Sequence, residues 1–162
     1  MYATPLDLLF FGAAELAELA APEDRQVTGE LLRLTLEGGD RGAYTPEAIA
    51  AADAASARLS EVLERAGKRI DSYLAPRYAL PLAPALIAGS DLVAACMDIA
   101  RFMLMEDAAT STVKDRYDRT LAWLRDLSTG RASLGELDTA VATPAGRPVI
   151  AGGKSAIDWD TY

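Results

Sequence analysis

Histidine is missing from this sequence, cysteine occurs once, at Cys96, and Phe, Trp and Tyr together make up 7% of the 162 residues. The first absence removes the commonest general base and the commonest zinc ligand, and with them every Ser–His or Cys–His nucleophile pair. A single cysteine forbids an internal disulfide and suits a reducing compartment. Few rings beside abundant alanine favour closely approaching helices over a thick sheet sandwich. No apolar run reaches the roughly 20 residues of a membrane span, so no contact with a membrane is expected. The greasy stretch from Leu6 to Ala21 carries Asp7, Glu15 and Glu18 and lacks a basic start. It is expected not to be a signal peptide, and the chain is expected to be soluble.

What is present begins with charge. The net charge is −8, and residues 1–45 concentrate it, with eight acidic side chains against three basic ones. Affinity for nucleic acid comes from Lys and Arg neutralising phosphates, so this surface is a poor adhesive for it. An acidic face serves solubility, or forms a wall past which DNA slides without sticking.

One stretch organises the rest: Ile70-Asp71-Ser72-Tyr73-Leu74-Ala75-Pro76-Arg77-Tyr78-Ala79-Leu80-Pro81-Leu82. A helix runs into it and stops, because Pro76 lacks an N–H and disfavours the helical conformation at Ala75, an effect that Pro81 and Pro84 repeat. The helix should end near Leu74, followed by an extended elbow that presents Tyr78, Leu80 and Leu82.

Taken in order, Thr4-Pro5 starts a first helix, with Thr as cap and Pro in the first turn. Gly12 interrupts it, and Ala13–Ala21 forms a second short helix. Read as a helix-turn-helix, that second helix would have no Arg, Lys, Asn or Gln to meet DNA, and the reading fails. Residues 22–44 are expected to be an inserted loop. The partial alternation of Leu31, Leu32, Leu34 and Leu36 admits a short strand or hairpin arm there. Thr45-Pro46 opens the main helix, from about Pro46 to Leu74, with Ile49, Ala52, Ser56, Leu59, Leu63, Ala66, Ile70 and Tyr73 facing inward at heptad-like spacing. Ser90-Asp91 caps a buried central helix reaching about Asp107, on whose polar side Asp98 and Arg101 stand three apart and can pair. A last helix runs from Val113 to about Ser128 and buries Tyr117, Leu121, Leu124 and Leu127. From Gly130 onward Pro, Gly and small residues prevail. The expected fold is therefore all-α: a compact bundle of about four to five helices over residues 1–130, and an extended C-terminal tail over 131–162.

Motifs for chemistry are scarce. Gly152-Gly153-Lys154-Ser155 imitates the end of a phosphate-binding loop, but Pro148 occupies the position of the required first glycine, so no nucleotide site is expected. Asp115 and Asp118 flank Arg116 and Arg119 and read as solvated ion-pair surface. Cys96 falls on an inward helical position, the usual place of an inert small hydrophobe. No nucleophile, base and oxyanion donor assemble, so the chain is not expected to be an enzyme, and no cofactor or metal is expected. Two groups remain. Arg77, Tyr78 and Leu80 in the elbow suit either internal packing or a subunit interface. Ile157, Trp159 and Tyr162 end a Gly/Pro-rich segment with no obvious internal place to bury rings, which suits anchors for a partner.

Several segments in order resemble the Mu-like phage neck proteins, within the wider group of head–tail connector adaptors of tailed phages. They are Met1-Tyr2-Ala3-Thr4-Pro5-Leu6-Asp7-Leu8, Ile70–Leu74, Arg77–Leu82, Cys96-Met97-Asp98-Ile99-Ala100-Arg101-Phe102, Arg116-Tyr117-Asp118 and Trp123-Leu124. The resemblance covers about residues 1–135, with a longer loop at 22–44 than such proteins lead one to expect. It implies a structural protein of the virion, in the neck of the particle: a helical subunit of a dodecameric ring beneath the portal protein. The ring would extend the DNA channel without binding DNA specifically, and would dock a stopper or tail-completion protein. On that view Ile157, Trp159 and Tyr162 would reach the portal, and Arg77, Tyr78 and Leu80 would lie between subunits. The competing class is a helical scaffolding or regulatory module that binds one protein partner and forms no ring.

Overall fold

A computed structural model of the chain describes residues 1–105, 108–135 and 138. They form one 3-10 helix, Asp7–Phe11, and six α-helices: α1 (Ala13–Ala20), α2 (Gly29–Glu37), α3 (Pro46–Leu74), α4 (Pro84–Ala88), α5 (Leu92–Met105) and α6 (Ser111–Thr129). The all-α expectation holds, and no strand occurs among the described residues.

Helix α3 is the spine, and α1, α2, α5 and α6 all pack on it. Its ends follow from local chemistry. Thr45 Oγ1 accepts from the Ala48 N–H at 3.3 Å, Pro46 occupies the first turn, and the helix stops at Leu74 before Pro76. Its buried stripe runs Ala48, Ala52, Ala55, Leu59, Val62, Leu63, Ala66, Ile70 and Leu74. Of the expected inward set, Ile49, Ser56 and Tyr73 are only half-buried. The stripe is rotated slightly toward the alanines, and α2 is among the helices that pack on it. Fully burying a leucine such as Leu59 or Leu63 contributes about 1.5–3 kcal/mol, so this face supplies much of the fold's stability.

The segment 22–44 departs from the expected loop. It contains α2 in place of a hairpin arm. Thr28 Oγ1 accepts from the Leu31 N–H, Gly38 closes the helix in the left-handed conformation, and Arg33 bridges Glu30 and Glu37 on the outer face. Leu31 and Leu32 are fully buried. Helix α1 meets α2 at Gly29, where an added Cβ would lie 2.7 Å from the Ala14 nitrogen and 2.9 Å from its Cα. The two helices therefore touch backbone to backbone, and only glycine fits.

The opening turn is a 3-10 helix instead of an α-helix. Asp7 accepts from both the N–H and the hydroxyl of Thr4, at 2.7 and 2.8 Å. Within the elbow the Leu80–Pro81 peptide is cis. Pro84 then starts α4, a short helix that the expectation of continuous extended chain omitted. Of the expected tail over 131–162, all but residues 131–135 and 138 lies outside the described residues.

Candidate functional site

The elbow after α3 and the chain after α6 form one structure. Tyr78 is buried, and Leu82 beside it, while Leu80 is 38% exposed. Helix α6 ends at Gly130, whose φ of 76° is left-handed backbone that suits glycine. The turn exposes the last carbonyls of the helix, and Arg77 reaches them. Its Nη1 donates to the carbonyl of Ala132 at 2.8 Å and to that of Leu127 at 3.3 Å. A guanidinium there also meets the negative end of the helix dipole. Its Cζ lies 5.3 Å from the Tyr78 ring centroid. Arg77 Nε is buried with no acceptor among the described residues.

Tyr78 completes the joint. Its phenol donates to Asp138 Oδ2 at 2.6 Å, and the same oxygen accepts from the Leu134 N–H at 2.9 Å. Burial, then the hydrogen bond and charge of Asp138, push the Tyr78 phenol up to about 12 against a small opposing pull from Arg77. Leu134 is buried in the same core. A shallow groove of about 280 Å³ remains between Arg77, Tyr78, Leu82, Ala83, Leu86 and Asp138. Of the residues singled out from sequence, Arg77 and Tyr78 thus hold the C-terminal segment of their own chain, and Leu80 faces outward. Ile157, Trp159 and Tyr162 lie outside the described residues.

Other polar groups are similarly engaged. Tyr2 donates to the Asp71 carboxylate on α3, and burial, then that bond, raises its phenol well above the ordinary value. Arg101 does not pair with Asp98, as its spacing had led one to expect. It turns toward α1 and binds Glu15 at 2.7 Å, with its Cζ 4.5 Å from the Phe11 ring centroid. Asp98 instead faces Arg116 of α6 at 4.0 Å, its carboxyl pushed up by burial and pulled back by Arg116 and Arg101. Both partners come from other helices, which spacing along one helix does not reveal. Phe102 stacks on Tyr117 at 4.0 Å between α5 and α6.

The arrangement holds the segment after α6 against the elbow through Arg77 and Tyr78. Cys96 is fully buried with its Sγ 3.8 Å from the Leu63 carbonyl, and burial pushes its thiol up to about 11, far from a thiolate at neutral pH. Among the described residues no group of three or more Cys, Asp or Glu is placed to hold a metal ion. Among them, too, no helix is long and apolar enough to cross a membrane.

Sequence comparison gives this geometry its context. A sequence profile of the family described as Bacteriophage Mu, Gp36 matches residues 2–151. The chain is 37% identical to the Mu-like prophage FluMu protein gp36 of Haemophilus influenzae over 108 residues, 65% of this chain and 71% of that relative. It is 31% identical over 90 residues to Gene product J of Escherichia phage Mu, covering 56% of this chain and 62% of that relative. The match therefore spans less than two thirds of the phage Mu protein.

Proposed function

The chain belongs to the bacteriophage Mu Gp36 family, and from that premise we propose that it is a head–tail connector subunit, a structural protein of the neck of the phage particle. Copies would form a ring, dodecameric as the resemblance to head–tail connector adaptors implies, beneath the portal protein. The ring would continue the DNA channel and offer its far side to a stopper or tail-completion protein. The work is mechanical, and no catalysis is assigned.

The observation that carries this reading is the family match across residues 2–151, which takes in every described helix. Two features of the fold agree with it. The side chains with chemical potential are engaged with one another: Tyr2 with Asp71, Glu15 with Arg101 and Tyr78 with Asp138. The Arg77–Tyr78 joint holds Ala132, Leu134 and Asp138 at the end of α6, and under this reading Ile157, Trp159 and Tyr162 would reach the portal. The acid excess of residues 1–45 suits a lumen that does not bind DNA.

The test is quantitative mass spectrometry of purified, DNA-filled particles, with this chain scaled to the portal protein. A ratio near one per portal subunit supports the connector. Absence from finished particles overturns it in favour of an assembly helper that forms no ring.

A further inference from the structure

The described residues expose four large hydrophobic side chains: Met1, Leu6 and Phe10 before α1, and Leu80 in the elbow. Leu80 belongs to an uncommonly uncharged stretch. Of the fourteen residues from Ala75 to Ala88, Arg77 alone carries a charge, and its guanidinium is engaged by the carbonyls of Leu127 and Ala132. Pro76, Ala79, Pro81, Pro84 and Ala85 are exposed around it. Helix α4 lies in this stretch, and among the described helices it alone buries no side chain, although its five residues are all apolar. Leu86 is half-buried and forms, with Ala79, Leu82 and Ala83, the apolar wall of the 280 Å³ groove beside Tyr78 and Asp138. Uncovered apolar surface of this kind marks a site of contact.

The chain itself supplies the fitting occupant. Asp138 lines the groove, and its carboxylate is held there by the Tyr78 phenol and the Leu134 N–H. The segment that follows is therefore covalently tied to the groove wall. Residues 139–151 contain no acidic side chain and a single basic one, Arg147, whereas residues 152–162 hold Lys154, Asp158 and Asp160. The family profile divides the chain at the same place, because its match ends at residue 151. Val141 is the first large apolar residue after Asp138, and three residues reach at most about 10 Å. So short a tether favours the groove of the same chain over that of any neighbour.

We propose that the elbow groove is the binding site for the chain's own residues 139–141, with Val141 seated against Leu82 and Leu86. The region after α6 then has two parts. The inner part completes the bundle by covering the elbow, and the outer part carries Ile157, Trp159 and Tyr162. The inference concerns a single chain and does not depend on the connector reading.

Nuclear magnetic resonance of the full-length chain with labelled Ile, Leu and Val methyl groups tests it. Val141 methyls should give nuclear Overhauser cross-peaks to those of Leu82 or Leu86. Val141→Ser should abolish them and speed amide exchange at Leu86 and Ile87, which both donate to the Ala83 carbonyl, by about threefold or more. The methyl shifts of the buried Leu59 and Leu63 should stay in place, showing that the variant is folded. Absence of the cross-peaks in the wild type, or cross-peaks from Ile150 in place of Val141, overturns the proposal. A mixture of differently labelled chains separates contacts within one copy from contacts between copies. Cross-peaks found only between copies give the groove to a neighbour's segment and overturn it too. The stoichiometry of the chain in particles decides the connector reading separately.

Discussion

Tyr78 and Asp138 are joined by a 2.6 Å hydrogen bond across sixty positions of sequence. The bond ties the proline elbow to the chain beyond α6, and its chemistry makes it measurable by pH. The Tyr78 phenol has its folded value raised from 10 to about 12 by burial and by the Asp138 carboxylate. A raised folded value means that the native state holds the proton more tightly than the unfolded chain. The corresponding stability is fully present below pH 10 and is lost as pH rises through about 12. Thermal melts between these limits should show a stability that falls with pH, and Tyr78→Phe should flatten the fall. Some slope should survive in that variant, because the Tyr2 phenol is raised in the same direction by burial and Asp71. At neutral pH, Tyr78→Phe should lower stability by about 1–2 kcal/mol. A variant with an undiminished slope would place the titration elsewhere.

Gly29 offers a test of the α1–α2 junction. A Cβ there would sit 2.7 Å from the Ala14 backbone nitrogen, a contact that backbone cannot yield cheaply. Gly29→Ala should therefore lower unfolding free energy by about 1–3 kcal/mol, despite alanine's better helix propensity. Gly42 is the control, because its Cβ would meet only the Asp40 side chain, at 3.2 Å. Urea melts of the two variants should separate clearly, and equal midpoints would mean that the helices can part without penalty.

Much of the fold is legible in the sequence because its signals are local. Thr45-Pro46 and Pro76 bracket α3, and the apolar spacing between them runs unbroken. Helix α2 was hidden because the eye follows Leu32, Leu34 and Leu36, which alternate as in a strand. The informative residues were Glu30, Arg33 and Glu37, whose spacing makes ion pairs only on a helix, with Thr28 as cap. Helix α4 was missed for the opposite reason, since Pro84 reads as a breaker where it serves as a helix start. The elbow could be recognised as special, but its purpose could not. The carbonyls that Arg77 binds carry no residue identity, and Asp138 lies sixty residues from Tyr78. The exposure of Phe10 was equally invisible, because Leu6, Leu9 and Phe10 have the spacing of one apolar α-helical face, whereas Asp7–Phe11 is a 3-10 helix that ends at Gly12.

The Glu15–Arg101 pair links α1 to α5 with both side chains less than a third exposed, and Phe11 covers the guanidinium. A double-mutant cycle of Glu15→Gln and Arg101→Gln should return a coupling energy of about 1 kcal/mol that changes little between low and high salt. The Asp98–Arg116 contact is longer at 4.0 Å, and its arginine is nearly half exposed. Its cycle should give a smaller value that salt abolishes. A Glu15–Arg101 coupling that vanished in salt would mean that water reaches the pair freely.

Two truncations separate the joint from the segment that follows it. A chain ending after Leu137 loses Asp138, and with it the acceptor shared by the Tyr78 phenol and the Leu134 N–H. Two hydrogen bonds to a carboxylate are lost together, and Tyr78 remains buried with its hydroxyl exposed to no replacement acceptor from that group. Stability should fall by about 2–4 kcal/mol, with hydrogen exchange quickening first at the end of α6. A chain ending after Asp138 keeps both bonds and should melt above the chain that ends after Leu137. It nevertheless lacks Ile157, Trp159 and Tyr162, so under the connector proposal it should fail to attach to the portal although it is fully folded. Attachment is read by co-sedimentation with purified portal rings. If the chain ending after Asp138 binds as the full chain does, the tail anchors are wrongly assigned, and the contact with the portal must come from the helical bundle itself.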